Sequence, residues 1–368
     1  MSARAEALVL HGPESFERRW IDIPATADDG ALLKIEACGL CGTDHEQYSG
    51  HIRSRFSFVP GHEIVGVIED IGGEAAQRWG VSVGDRVAVE VFKSCRECDA
   101  CLSGLYRRCV RNGMRTMFGF VDVDFEHGLW GGYSTHLVLD RDAMLLPVPA
   151  GLDPVLATAF NPIGAGIRWG ATLPETGPGD VVAVLGPGIR GLAAAAAAKE
   201  AGASFVAMTG LGPRDLPRLA VAERFGVDLT IDVSIEDPAK RLRQELGVLA
   251  DVVVDVTAKA PAAFAQAVSL AASGGTVVVA GTRGIAETPG FDPDHVVYKE
   301  LRILGALGVD LAAYEAALAL LISGRYPFAE LHRVSVGMND LEPLLQVLAG
   351  LSSSDADPPV HSVFVPDL

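Results

Sequence analysis

Between Ala37 and Glu46 the chain reads Ala-Cys-Gly-Leu-Cys-Gly-Thr-Asp-His-Glu, and Gly61-His62-Glu63 follows about one hairpin later. A thiolate, an imidazole and nearby carboxylates are the ligands a Lewis-acidic zinc takes when it keeps one position open for substrate. The two motifs together read as half of such a site.

A denser cluster follows. Cys95, Cys98, Cys101 and Cys109 are spaced C-x2-C-x2-C-x7-C, which lets a tight loop bring four thiolates to tetrahedral positions around one zinc. Four sulfurs leave no open position, so this metal would be structural. The alternative is two disulfides or buried free thiols. All six cysteines lie between Cys38 and Cys109, and without a secretion signal that clustering favours metal ligation. Nucleic-acid-binding zinc modules use similar spacing, but this one sits in an acidic chain beside a nucleotide-binding loop.

That loop is Gly186-Pro187-Gly188-Ile189-Arg190-Gly191. It closes an apolar run and opens an alanine-rich one, the strand-to-helix context that the dinucleotide fingerprint requires. Gly186 permits the tight turn, Gly188 lets a pyrophosphate approach the backbone, and Gly191 lets helix and strand pack closely. The helix N-terminus then supplies amide donors. The next strand ends Met208-Thr209-Gly210 with no acid to repel a ribose 2′-phosphate, and Arg214 and Arg218 follow. This leans the cofactor towards NADP rather than NAD; the alternative is that both arginines are solvated helix-entry residues. Thr257 completes the expected cofactor set with the loop, Gly210 and Arg214.

Two kinds of element must position these groups. From Ala5 to about Pro149, short β-rich runs such as Ala31 to Glu36, Ile64 to Ile71 and Arg86 to Phe92 are broken by glycine and proline. They predict an irregular β domain whose loops carry ligands. Beyond Pro154, strand signals at 181–185, 205–209, 229–232, 252–256 and 276–280 alternate with helices ending near Ala201 and spanning about 217–225 and 262–272. That rhythm predicts a parallel, doubly wound sheet. A helix near 312–322 and a last strand at 360–365 end the chain. There is no internal repeat.

At 368 residues and 49% hydrophobic content the chain can bury a large core in two domains. Its charge of −17 argues against a phosphate-backbone partner. Met1 to Leu10 lacks a secretory pattern, and no window approaches the roughly 18 apolar residues of a membrane span. The expected location is the cytoplasm.

Cys41-Gly42-Thr43-Asp44, Gly61-His62-Glu63, the four-cysteine lobe and the glycine loop, in this order and spacing over nearly the whole chain, resemble the zinc-dependent medium-chain alcohol dehydrogenase family. The resemblance implies a GroES-like catalytic domain (1–160, with the zinc lobe 95–109) and a Rossmann domain (161–302). A C-terminal return to the catalytic domain (303–368) follows. It implies substrate bound in the cleft, hydride transfer between nicotinamide and an alcohol or carbonyl compound, and a homodimer or homotetramer. Carried over, Cys41 and His62 are catalytic-zinc ligands and Cys38 is a neighbour. Asp44 holds an imidazole, Thr43 bonds the substrate oxygen and starts the proton relay, and Glu63 lies behind the metal as an alternative ligand. The rivals are a redox pair for Cys38-x-x-Cys41 and a core histidine for His62.

Two positions depart from the family. Its third ligand, commonly Cys or Glu, aligns with Asn161 in Phe160-Asn161-Pro162. A neutral amide is a weak zinc ligand, so with Asn161 as a ligand zinc would be bound less tightly, or Glu63 or water would complete the site, or zinc would be absent. Asn161 would otherwise contact cofactor or cap the helix. Second, Glu46 stands where many relatives have the relay histidine, with His45 one position earlier; either would end the relay. Val91, Phe92, Phe118 and Trp130 are expected as pocket wall or as core. The expected function is a zinc-dependent NAD(P)-linked alcohol dehydrogenase or carbonyl reductase. The rivals are a zinc-free reductase of activated double bonds and a non-catalytic nucleotide-binding protein.

Overall fold

In Val181–Leu185 every residue is apolar and buried, the pattern of a strand covered on both faces. The computed structural model describes residues 3–283, 287–352 and 359–368 and divides into two units, Asn161–Glu330 and Met1–Phe160 with Leu331–Leu368.

The first of these units is built on a six-stranded sheet. Its order is Leu229–Asp232, Phe205–Gly210, Val181–Leu185, Ala250–Asp255, Ala271–Val279 and Arg302–Gly305, with every neighbouring pair parallel. The succession reverses between Val181–Leu185 and Ala250–Asp255, where doubly wound sheets open a ligand crevice at the strands' carboxyl ends. Helix Ile189–Glu200 buries every residue from Gly191 to Ala198. Its small side chains allow close approach: a Cβ on Gly166 or Gly170 would strike the backbone of Ala193 or Ala194.

Three expectations change here. The helix expected over 217–225 is Gly212–Ala220 followed by a 3-10 turn at Ala222–Phe225. Pro213 opens it in the first turn, where a missing N–H costs nothing, so Pro217 lies inside it. The fifth strand begins at Ala271, five residues before the expected start, because Ala271 pairs with Ala250 ahead of a register shift. Arg302–Gly305 is the sixth strand of this sheet, and the chain leaves the unit at 330/331 rather than at 302/303.

The other unit carries a seven-stranded sheet. Ala31–Leu40 pairs with Glu63–Ile71, His136–Leu139 and the C-terminal strand His361–Phe364. The C-terminal strand sets Phe364 opposite Cys38 and Ser362 opposite Leu40, so residues from both ends of the chain brace the strand that leads into Cys41. Leu33, Ile35, Cys38, Ile64, Ile68, Tyr133 and Phe364 share its core. Among the described residues no helix is long and apolar enough to cross a membrane.

Candidate functional site

The antiparallel register of Ala31–Leu40 and Glu63–Ile71 sets Cys38 opposite Ile64 and Gly39 opposite Glu63. Carried past the strand ends, the same register sets Leu40 opposite His62 and Cys41 opposite Gly61, so Cys41 and His62 leave the paired strands as diagonal neighbours. Ligand atoms of Cys41, His62 and Glu63 lie within 4.8 Å of one another, and all three residues are buried. Two glycines make this possible. A Cβ on Gly39 would run into the Glu63 carboxylate, and Gly61, at φ +88°, turns the chain into His62 against Tyr133 and Cys38.

Cys41 is also the N-cap of helix Gly42–Tyr48. Its sulfur accepts from the Thr43 N–H at 3.4 Å, and its own N–H donates to Asp44 Oδ2 at 2.7 Å. The other Asp44 oxygen is 3.7 Å from His62 Nδ1, with both side chains buried. Burial pushes the His62 ring down, but Asp44, Cys41 and Glu63 outweigh it and raise its pKa to about 9. A cluster that draws a proton this strongly suits a cation, and its S, N and O donors are those zinc takes. Cys38 instead points into the apolar core, where burial pushes its thiol well up. Thr43 Oγ1 lies 3.5 Å from Cys41 Sγ. Glu46 is buried, and His45 Nε2 is 3.8 Å from where a Cβ on Gly42 would stand.

The four-cysteine lobe is a separate cluster with all ligand atoms within 4.8 Å. Its cysteines are free thiols, and Cys95 Sγ is 3.7 Å from Cys101 Sγ. A tetrahedron with Zn–S of about 2.3 Å has S···S edges of about 3.8 Å, whereas a disulfide needs about 2 Å. The lobe therefore fits zinc. Amide donors support its thiolates: Cys98 N–H points at Cys95 Sγ and Asn112 N–H at Cys109 Sγ, each at 3.4 Å. Burial opposes ionisation of Cys109, but the Asn112, Cys95 and Arg111 amides bring its pKa down to about 6.

At the glycine loop, Gly186 has φ +105° and Gly188 caps helix Ile189–Glu200. A Cβ on Gly191 would strike Gly186 O, whereas one on Gly188 would meet nothing within 4 Å. The backbone is thus open on the face where a pyrophosphate would rest, and the loop fits a dinucleotide. Pro187 lies between the two glycines. Thr257 faces Gly186 across the crevice with its methyl group, and its N–H and hydroxyl donate to Asp255 Oδ1 at 3.0 and 2.6 Å. Gly210 is buried beside Asp215 and Leu219. Arg214 is exposed. Arg218 is half-buried and 3.5 Å from Asp215, so it is not the solvated residue of the alternative reading.

Residues 27–150 match the family described as alcohol dehydrogenase GroES-like domain, and residues 191–323 match zinc-binding dehydrogenase. A Mycobacterium tuberculosis protein described as probable alcohol dehydrogenase adh is 62% identical over 365 residues, covering 99% of each chain. The chain belongs to the zinc-binding medium-chain alcohol dehydrogenase family. A sorbitol dehydrogenase of Halalkalibacterium halodurans is 32% identical, over 84% of this chain and 86% of its own. A candidate zinc-binding dehydrogenase from Sinorhizobium meliloti 1021, solved bound to NADP, superposes with TM-score 0.83 at 25% identity, covering 99% of this chain and 100% of its own.

Asn161, expected as a weak third ligand or as a cofactor contact, is buried and hydrogen-bonded within its own unit. Its amide donates to the Tyr314 hydroxyl at 2.8 Å, and its oxygen accepts from Arg190 at 3.5 Å. The acid that joins Cys41 and His62 is Glu63. Phe118 and Trp130 are core residues: Lys93 Nζ sits 4.4 and 4.0 Å from their ring centroids and reaches Asp140 at 2.7 Å. Val91 and Phe92 pack with Tyr106 and Met117. The buried Lys93 was missed by sequence reasoning; its only signal is a charge directly after the apolar pair Val91-Phe92.

Proposed function

We propose that Cys41, His62 and Glu63 hold the catalytic zinc of an NAD(P)-linked alcohol dehydrogenase that interconverts small alcohols with their aldehydes or ketones. The meeting of these three buried ligands where two paired strands end carries the reading. Zinc held there would supply the Lewis acidity that eases deprotonation of an alcohol, and a nicotinamide held at the glycine loop would supply the hydride acceptor. The chain's own residues do the rest. The Thr43 N–H holds the Cys41 sulfur, and Asp44 fixes the His62 ring. The Thr43 hydroxyl receives the substrate proton, and His45 or Glu46, on the same helix, passes it on.

Gly186, Pro187, Gly188, Ile189, Arg190 and Gly191 bind the cofactor pyrophosphate, with Thr257 across the crevice. The preferred cofactor is NADP: Gly210 offers no acid, exposed Arg214 is available for the 2′-phosphate, and the Sinorhizobium relative was solved with NADP. Arg218 contributes less because Asp215 already pairs with it. The enzyme acts as a homodimer or homotetramer. Exposed Leu102, Val110 and Met114 on the zinc lobe, and Tyr298 and Ile303 by the edge strand Arg302–Gly305, support this. Free thiols suit a reducing cytoplasm.

Zinc stoichiometry tests the reading. The wild type is expected to hold two zinc ions per chain and Cys41→Ser one, with activity lost. A wild type with one zinc would favour the zinc-free reductase, and a mutant that keeps both would overturn the assignment of the catalytic zinc to Cys41.

A further inference from the structure

Two residues outside the four-cysteine ligand set touch its last sulfur or hold its ends together. Asn112 is buried and directs its backbone N–H and its side-chain Nδ2 at Cys109 Sγ, at 3.4 and 3.7 Å. The amide cannot swing away. Its Nδ2 also donates to Asp142 Oδ2 at 2.8 Å, and its Oδ1 accepts from the Thr116 hydroxyl at 3.0 Å. Asp142 is itself buried, takes Arg111 at 3.4 Å, and accepts the Ser94 N–H on its backbone oxygen at 2.9 Å.

Ser94 immediately precedes Cys95, the first ligand, and Asn112 holds Cys109, the last. Both outer cysteines of the lobe therefore hang from the same residue. The anchor continues inward, since the Asp142 N–H donates to Asp140 Oδ1 at 3.2 Å and Asp140 Oδ2 holds Lys93 against Phe118 and Trp130. Four thiolates around one dication leave two negative charges in excess, so N–H donors aimed at sulfur stabilise the loaded site. Partners of this kind orient ligands and set how tightly a metal is kept.

We infer that Asn112 and Asp142 form a latch that closes the ends of the four-cysteine loop and sets the rate at which the lobe releases zinc. Asn112 acts through Cys109, and Asp142 acts through Asn112 and Ser94; neither is a ligand. The latch governs retention of the structural metal and is independent of which residues hold the catalytic one.

The test follows Cys109 itself. Zinc-loaded full-length protein is exposed to a chelator and iodoacetamide, and alkylation of the Cys109 peptide is timed by mass spectrometry. Asn112→Ala, and Asn112→Ser as the milder variant, are expected to speed alkylation about tenfold to hundredfold. Asp142→Ala is expected to do the same, and Asp142→Asn, which keeps an acceptor, less. Saturating zinc without chelator is expected to restore wild-type protection in each variant. Alkylation within twofold of wild type in both Asn112 variants would overturn the latch. So would a Cys109 that stays reactive at saturating zinc, because Asn112 would then be only a packing residue.

Discussion

His127 lies 4.0 Å from the Trp130 ring, which also receives the Lys93 ammonium at 4.0 Å. Burial, and then the Lys93 charge, push the imidazole down to about 4. An unfolded chain takes up this proton near pH 6.5, so between 6.5 and 4 the unfolded state binds more protons and acid lowers stability. His127→Asn is expected to flatten the fall of the thermal midpoint over that window; calorimetry at several pH values reads the slope. Asn161→Ala is expected to leave two zinc ions per chain, since its amide already serves Tyr314 and Arg190. Loss of one ion would restore it as a ligand. Arg214→Ala is expected to raise the KM for NADP about tenfold, the loss of one charge-assisted contact, and to leave that for NAD unchanged. Steady-state kinetics with both cofactors decides this. At this scale the sequence was legible where residue type fixes chemistry, as with the cysteines, His62 and the glycines. It was not legible where a residue far along the chain decides a side chain's contacts: nothing in Phe160-Asn161-Pro162 announces that the Tyr314 hydroxyl accepts from the asparagine amide.

Elements were legible where the pattern was local and uninterrupted. The apolar strand Val181–Leu185 and the alanine-rich helix after it announce themselves. The helix Gly212–Ala220 did not, because it has two prolines and only the first opens it. The fifth strand was clipped because its first residues include Gly274 and Gly275, which read as a turn, yet Ala271 already pairs with Ala250. Such pairings are set by the partner strand. Gly39 shows the same dependence, since its lack of a side chain matters only because Glu63 stands opposite. Gly39→Ala is expected to displace the Glu63 carboxylate and remove most of the zinc from the Cys41 cluster. Circular dichroism should stay unchanged, and elemental analysis reads the metal. A different element depends on Lys299, whose ammonium donates to the carbonyls of Val268, Ser269 and Ala271 at 2.8, 3.0 and 2.8 Å. It closes the end of helix Ala263–Leu270. Lys299→Met is expected to cost about 1–2 kcal/mol in urea unfolding.

Across the whole molecule, the order of motifs carried the architecture further than any single element did. Thiol motifs followed by a glycine loop imply a ligand-bearing β unit and a parallel sheet, and both are present. The point of return to the unit with the seven-stranded sheet was not legible, because the strand Arg302–Gly305 is only four residues long and has partly exposed side chains. It looks like a connection until its neighbour Ala271–Val279 is known. The same separation of labour has a chemical consequence. Every cysteine belongs to the unit that holds the metal clusters, and residues 161–330 contain none. Peroxide has thiols to attack in one unit only. An oxidised population would lose its metals and its turnover, yet its cysteine-free unit would go on binding nicotinamide nucleotide, so that damage converts an enzyme into a sink for its own coenzyme.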